Sequence, residues 1–212
     1  MRASHTSGIR ATGAVTKGII TTVVALTATA CGMGSSATGA SSSHDHMAPH
    51  HPMVHAAVFG SDCGMIPASG MGSLHGMRMD PAVTAAAHNP LLTTFAGDAA
   101  TARLTTELNS MRAITIFAPA NAAFAKLHGS EMSMMHNTAE LARILKYHVV
   151  SGHITPAELA SGMTLTTLEA GTLKGAKMGA VYEVNNADVI CGNIQTANAT
   201  IYIINKVLIP MH

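Results

Sequence analysis

From about Asp80 onward the apolar positions fall into short blocks whose period alternates between that of a helix and that of a strand. "MDPAVTAAAHNPLLTTF" offers Asp80 as a helix cap with Pro81 at the first helical position, and a second start at Asn89 and Pro90. Leu104 and Leu108, four apart, predict a further amphipathic turn or two. The period then changes. Ile114 to Phe117 is a β-branched and aromatic run that stops at Pro119; helix formers follow from Ala122 to Leu127, opened by Asn121, with Phe124 and Leu127 on one face. "HNTAELARILKYHVV" places Asn137 as cap with Glu140 three residues on, sets Leu141, Ile144 and Leu145 on one face, and turns to strand at "YHVV". In "TPAELA", Thr155, Pro156 and Glu158 mark a short helix. Beyond it β-type runs are broken by Gly171, Gly175 and Gly179, and the last segment reads as strands with turns near Gly192 and Asn198. The pattern predicts an α+β domain, helices first and strands in its C-terminal half.

Upstream the periodicity vanishes. Residues 31–76 are rich in Gly, Ser, Ala, His and Met, and read as a tether that cannot bury enough apolar surface to fold alone. Ahead of it, Arg2, Arg10 and Lys17 precede the uncharged run "GIITTVVALTATA". As a helix that run is roughly 20 Å long, too short for a hydrocarbon core of about 30 Å, so residues 1–30 read as a secretory signal. Ala28 and Ala30 just before Cys31, followed by "GMGSSATGASSS", resemble a bacterial lipobox, in which the cysteine is diacylated and becomes the new N-terminus. Ala28 stands where Leu is usual, and ordinary secretion with cleavage nearby is the alternative. Either route takes the chain to the cell surface or beyond. The domain itself is then residues 77–212.

Export changes the reading of the cysteines. Cys63 and Cys191 would sit in an oxidising compartment with no partner left but each other, which predicts a disulfide closing a loop of about 130 residues. The chain-entropy model gives such a bridge about 4 to 5 kcal/mol. A metal-binding or catalytic cysteine is the weaker reading, since neither lies in a CxxC or beside a histidine. Composition narrows the partners further. Aromatics are 3% of the chain and Trp is absent, and 12 Lys plus Arg against 11 Asp plus Glu give no basic stripe. Nucleic acid is therefore not an expected partner.

Three segments together resemble a fasciclin-like, or FAS1, domain: "TIFAPANAAFAKL", the Tyr-His segment "LKYHVVSGHIT", and "ADVICGNIQTANATIYIINKVLIP" with its "VLxP" close. Order and spacing agree over about Asp80 to Pro210. "CGNIQTANAT" and the upstream cysteine in "GSDCGM" are similar to the mycobacterial secreted antigens and lipoproteins of that family, whose equivalent cysteines pair. Ala199, Tyr202 and Asn205 stand where Gly, His and Asp are common; the mycobacterial subgroup shares the Ala and the Tyr. Asn198 tolerates φ > 0, so the turn beside it is expected to be kept. The resemblance implies a β-wedge or sandwich flanked by short helices, used for extracellular adhesion and recognition of a protein, glycan or lipid, with no catalytic activity. It also points to Tyr147 and His148 as a recognition site, with Leu145, Val149 and Val150 as core.

No convergent nucleophile, base and orienting group is evident, and His148 reads first as a structural histidine beside a buried strand. The other candidate chemistry is metal binding. "SHDHMAPHHPMVH" brings His44, His46, Met47, His50, His51, Met53 and His55 into one stretch. Imidazoles suit Cu(II) and zinc and thioethers suit Cu(I), so the tether could hold copper in either oxidation state. Met65, Met71, His75, Met77 and Met79 extend the supply, and "EMSMMH", Glu131 to His136, is a second cluster. The stretch lacks the fixed spacing of a closed zinc site, and a plain solvated spacer is the competing reading. Two functions follow: a surface-anchored recognition module that needs no cofactor, or an envelope metal-handling lipoprotein for copper or zinc.

Overall fold

A computed structural model describes residues 57–210. Within them the helices are α1 (Leu74–Met77), α2 (Ala82–His88), α3 (Thr93–Thr101), α4 (Thr105–Ser110), α5 (Asn121–Phe124), α6 (Gly129–His136), α7 (Thr138–Tyr147) and α8 (Pro156–Ala160). The strands are β1 (Ile114–Pro119), β2 (Val149–Ser151), β3 (Thr164–Thr166), β4 (Thr172–Met178), β5 (Val181–Val184), β6 (Ala187–Gln195) and β7 (Ala199–Ile204). They form one sheet in the order β2-β1-β7-β6-β5-β4-β3. β1 and β7 run parallel, and the remaining pairs are antiparallel. A bridge between Val150 and Thr167 joins the two edges, with Leu168 N–H donating to Val149 O at 2.8 Å, so the sheet nearly closes on itself.

β1 and β7 are buried at every position, as a parallel pair covered on both faces must be. Their alternation sorts two cores. Ile114, Ile116, Ala118, Ala199, Ile201 and Ile203 face α1 to α7, where Ala82, Ala85, Ala86 and Ala99 let short helices approach closely around Phe95, Leu108 and Leu141. Phe117, Tyr202 and Ile204 face the interior of the wedge, joined there by Leu159, Leu165, Leu173, Val184 and Val189. This is the expected α+β wedge with short flanking helices.

The structure departs from the sequence pattern where a side chain acts over a long range. Asp80 does not cap α2: its carboxylate lies 3.3 Å from His88 Nδ1, and the helix begins one residue later. The first N–H groups of α2 are satisfied by two distant asparagines, Ala82 N–H donating to Asn198 Oδ1 (2.8 Å) and Val83 N–H to Asn109 Oδ1 (2.9 Å). Asn198 Nδ2 in turn donates to the carbonyls of Leu108 (2.9 Å) and Met111 (2.8 Å), so this residue keys the β6–β7 turn to two helices. Asn121 opens α5, yet its side chain caps α3, accepting from Thr94 N–H at 2.9 Å. The expected turn at Gly192 is instead a bulged stretch inside a continuous β6, with Asn193 at φ +62°. At α7 and α8 the local signals hold: Asn137 accepts from the N–H groups of Ala139 and Glu140, and Thr155 and Glu158 form a reciprocal capping box.

A larger correction concerns the tether. Of residues 31–76, those from Ala57 on belong to the packed domain. β5 pairs with β6 only as far as Asp188, and Phe59 to Asp62 cover the edge left open beyond it. Gly192 N–H donates to Phe59 O (2.7 Å) and Asp62 N–H to Ile190 O (2.9 Å). The Phe59 ring packs tilted against Tyr182, centroids 4.3 Å apart, and Gly60, at φ +123°, lies so close to the Ile190 carbonyl that a Cβ has no room. Cys63 then joins Cys191 through a disulfide. The strap folds because a bond and a vacant strand edge hold it, and neither shows in local periodicity. Residues 1–56, with Cys31 and His44, His46, Met47, His50, His51, Met53 and His55, lie outside the described residues.

Candidate functional site

Tyr147 and His148 end α7, whose apolar face (Leu141, Ile144, Leu145) is sunk in the helical core, so the chain delivers both side chains inward. His148 is fully buried. Its Nδ1 lies 2.8 Å from Ile144 O and must carry the proton, while Nε2 accepts the N–H of Leu208 at 2.9 Å. Burial pushes this imidazole down to about 4, against a weaker upward pull from the Ile144 carbonyl. Tyr147 Oη donates to Thr172 O (2.8 Å) and accepts from Asn185 Nδ2 (3.0 Å). Asn185 Oδ1 accepts from Lys174 N–H (2.8 Å). Burial raises the Tyr147 pKa, an effect opposed by the Asn185 hydrogen bond and assisted by Glu169, so the phenol stays protonated. A Cβ at position 171 would come 2.7 Å from the Tyr147 ring, which accounts for Gly171.

Of the pair expected to form a recognition site, His148 is interior with both ring nitrogens bonded to the chain itself, while Tyr147, largely buried and bonded through its hydroxyl, lines a groove. Leu145, Val149 and Val150 are buried beside them as expected. What the pair does is hold two walls. Tyr147 fixes the start of β4 and the β5–β6 turn, and His148 fixes the segment 206–210. Between those walls runs an open groove of about 1010 Å³, reaching from Thr164 and Glu169 past Lys174, Ala176 and Met178 to Ile209 and Pro210. A recess of about 280 Å³ continues it between Lys126, Leu127, Asn186, Asn205 and Lys206, and the two share Glu131, Asn186, Lys206 and Val207.

The sequence gives two clues to this groove, both missed by motif reading. Asn185 and Asn186 both have positive φ (43° and 61°), the two-residue turn that joins β5 to β6 with the twist the strands need. Asn205, where the family commonly carries Asp, exchanges bonds with Asp188: its Nδ2 donates to Asp188 Oδ2 (2.7 Å) and its Oδ1 accepts Asp188 N–H (2.9 Å). An amide serves both bonds, donating to the acid and accepting from its backbone N–H.

The groove carries Glu131, Glu169 and Glu183 against Lys174 and Lys206, with Arg143 3.3 Å from Glu169 at its edge. The groove's apolar walls with charges of both signs suit recognition. Among the described residues no group of three His, Cys, Asp or Glu is placed to hold a metal ion. The "EMSMMH" cluster is the helix α6, whose Met134 and Met135 pack against the helical core while Met132 and His136 are exposed. Met77 is buried, with Asn89 Nδ2 3.2 Å from its sulfur.

A nearly closed seven-stranded wedge, helices on one side and the Tyr-His turn buried at their junction, is the arrangement of a fasciclin domain, and the chain belongs to that family, whose model matches residues 90–210. Its relatives include immunogenic protein MPB70 of Mycobacterium bovis, 40% identical over 148 residues that cover 67% of this chain and 75% of that protein. The cell surface glycolipoprotein MPB83 of the same organism is 37% identical over 166 residues, 73% of each chain. The uncharacterized protein sll1735 of Synechocystis is 38% identical over 109 residues, 51% of this chain and 81% of that one. Among solved structures, a FAS1 domain pair from the insect cell adhesion molecule fasciclin I superposes with a TM-score of 0.53 at 16% identity. That match covers 64% of this chain and 52% of the domain pair, and shows the shared fold. Fasciclin domains are adhesion-type modules without enzymatic activity, and this chain is not an enzyme.

Proposed function

We propose that the chain is an exported recognition module that acts at the cell surface and binds an envelope or host protein, glycan or lipid through the groove beside Tyr147. The observation that carries this reading is the pinning of both groove walls by buried, fully bonded side chains, Tyr147 on one and His148 on the other, which pre-organises a surface for binding. The names of the relatives, an immunogenic protein and a cell surface glycolipoprotein, support the location. The signal-like residues 1–30 and Cys31 support a lipid anchor; mass spectrometry of the mature N-terminal peptide reads a diacylated Cys31 directly, and a free cysteine or a cleavage site beyond it would overturn the anchor.

The groove is tested by binding of the mature protein to immobilised envelope fractions. Met178→Asp with Lys206→Glu should abolish retention, while Thr101→Glu on α3 should not. Equal retention of all three proteins would remove the groove from the function. Metal handling is the second reading, favoured by the thirteen-residue His/Met stretch from Ser43 to His55. A Cu(I) and Cu(II) competition titration decides it: tight binding that vanishes when Ser43 to His55 are deleted makes the stretch a copper site, and binding indifferent to the deletion leaves it a spacer.

A further inference from the structure

Among the described residues, Leu, Ile and Phe side chains are gathered inside, and the large apolar side chains left well exposed are five methionines and one valine. The five are Met79 (74% exposed), Met178 (66%), Met71 (56%), Met65 (55%) and Met132 (39%). They are not crowded at one place: Met65, Met71 and Met79 lie along the strap and the approach to α2, Met132 on α6 and Met178 at the tip of the β4–β5 hairpin. Methionine is ordinarily used to fill cores, and a surface that merely tolerated apolar residues would expose leucine and isoleucine as well. Here the sulfur itself is what the surface has in common. The methionines that pack inward are a separate set: Met77 is fully buried, and Met111, Met134, Met135 and Met163 lie against the two cores.

We propose that these five thioethers form a sacrificial layer that consumes two-electron oxidants, hypochlorous acid or hydrogen peroxide, before the oxidant reaches the core sulfur or a bound partner. With hydrogen peroxide a sulfur lone pair attacks one oxygen and an S–O bond forms as the O–O bond breaks; with hypochlorous acid it attacks the chlorine as hydroxide leaves, and water then displaces chloride from the chlorosulfonium to give the same sulfoxide. The sulfur is oxidised by two electrons, and chloride with a proton, or water, leaves. Converting an exposed methionine to its sulfoxide adds polarity where water already is, so the fold is preserved. The same change at Met77 would place a polar oxygen in a fully packed core and break the Asn89 contact. The proposal is independent of which ligand the groove binds.

The test is a dose series of hypochlorous acid on the mature protein, with sulfoxides mapped residue by residue by peptide mass spectrometry and Tm recorded at each dose. Met65, Met71, Met79, Met132 and Met178 should oxidise about tenfold faster than Met77, with Tm unchanged until they are spent. In a variant carrying Leu at all five positions, the dose at which Tm falls should drop, and a bystander enzyme mixed with the protein should lose activity at an earlier dose. Should the variant fold poorly, the dose order in the unaltered protein still decides. Oxidation of Met77 alongside the outer five, a Tm that falls with the first sulfoxide, or equal protection of the bystander by variant and parent would each overturn the proposal.

Discussion

The two faces of the β1–β7 pair are built on different principles. The helical side is packed mainly from alanines and other apolar side chains and closed by the Cys63–Cys191 bridge. The wedge side and its junction with α7 contain buried polar groups, each bonded to named partners within the chain. Tyr202 Oη donates to Ile154 O at 2.7 Å, and Thr115 Oγ1 donates to Gly152 O (2.7 Å) and accepts from Ile154 N–H (2.8 Å). Tyr147 and His148 complete the set. Apolar packing tolerates many arrangements of similar volume, whereas a buried hydroxyl or imidazole left without its partner costs about 1–3 kcal/mol. The first side supplies cohesion and the second fixes where the strands and the C-terminal segment lie, which is what the groove requires.

That contrast can be broken most forcefully at the bridge. Cys63→Ser with Cys191→Ser should lower unfolding free energy by about 5 kcal/mol, since the closed loop spans 128 residues; denaturant unfolding with and without reductant measures it, and a loss below 1 kcal/mol would mean the strap is held by its other contacts. Leu108→Ala, deep in the helical side, should cost about 2–5 kcal/mol and leave groove binding unchanged. Parallel loss of binding would show that the two sides are not separable. A third measurement exploits His148. Its imidazole is held down to about 4 in the folded chain against about 6.5 unfolded, so the unfolded chain binds the extra proton between those values. Stability is therefore full above pH 6.5 and falls by about 3 kcal/mol as the pH drops to 4. A His148→Gln variant should flatten that slope, and an unchanged slope would place the proton elsewhere.

Smaller effects sharpen the division. Tyr147→Phe should cost about 1–2 kcal/mol yet weaken groove binding more than Leu108→Ala does, because it frees Thr172 and Asn185 at the wall. Thr155→Ala removes the α8 capping box and should cost about 1 kcal/mol with no effect on the groove.

Legibility follows the same division. α7, α8, β1 and β7 carry their signals within a few residues of themselves, in a cap, a face or a β-branched run, and the sequence pattern places them. The strap, the capping of α2 and α3, and the groove depend on partners far along the chain: Asn198 serves Ala82 across 116 residues, and His148 serves Leu208 across 60. A local pattern holds no record of such pairs. "EMSMMH" shows the opposite error, since a cluster of ligand-type residues reads as a metal site until the helical period of α6 turns half of it inward. The Cys63–Cys191 bridge lies between these cases, legible because export and a count of two left a single pairing.

The strap has a mechanical consequence. Tension applied between Ala57 and Pro210 would meet Cys63 and pass through the sulfur bridge into β6, at the middle of the sheet. The 127 residues from Gly64 to Ile190 hang as a closed loop off that load path and bear none of the tension directly. Only the stretch from Cys191 onward lies in series with the force, so the groove wall contributed by β4 and β5 is mechanically sheltered while the wall at 206–210 is not.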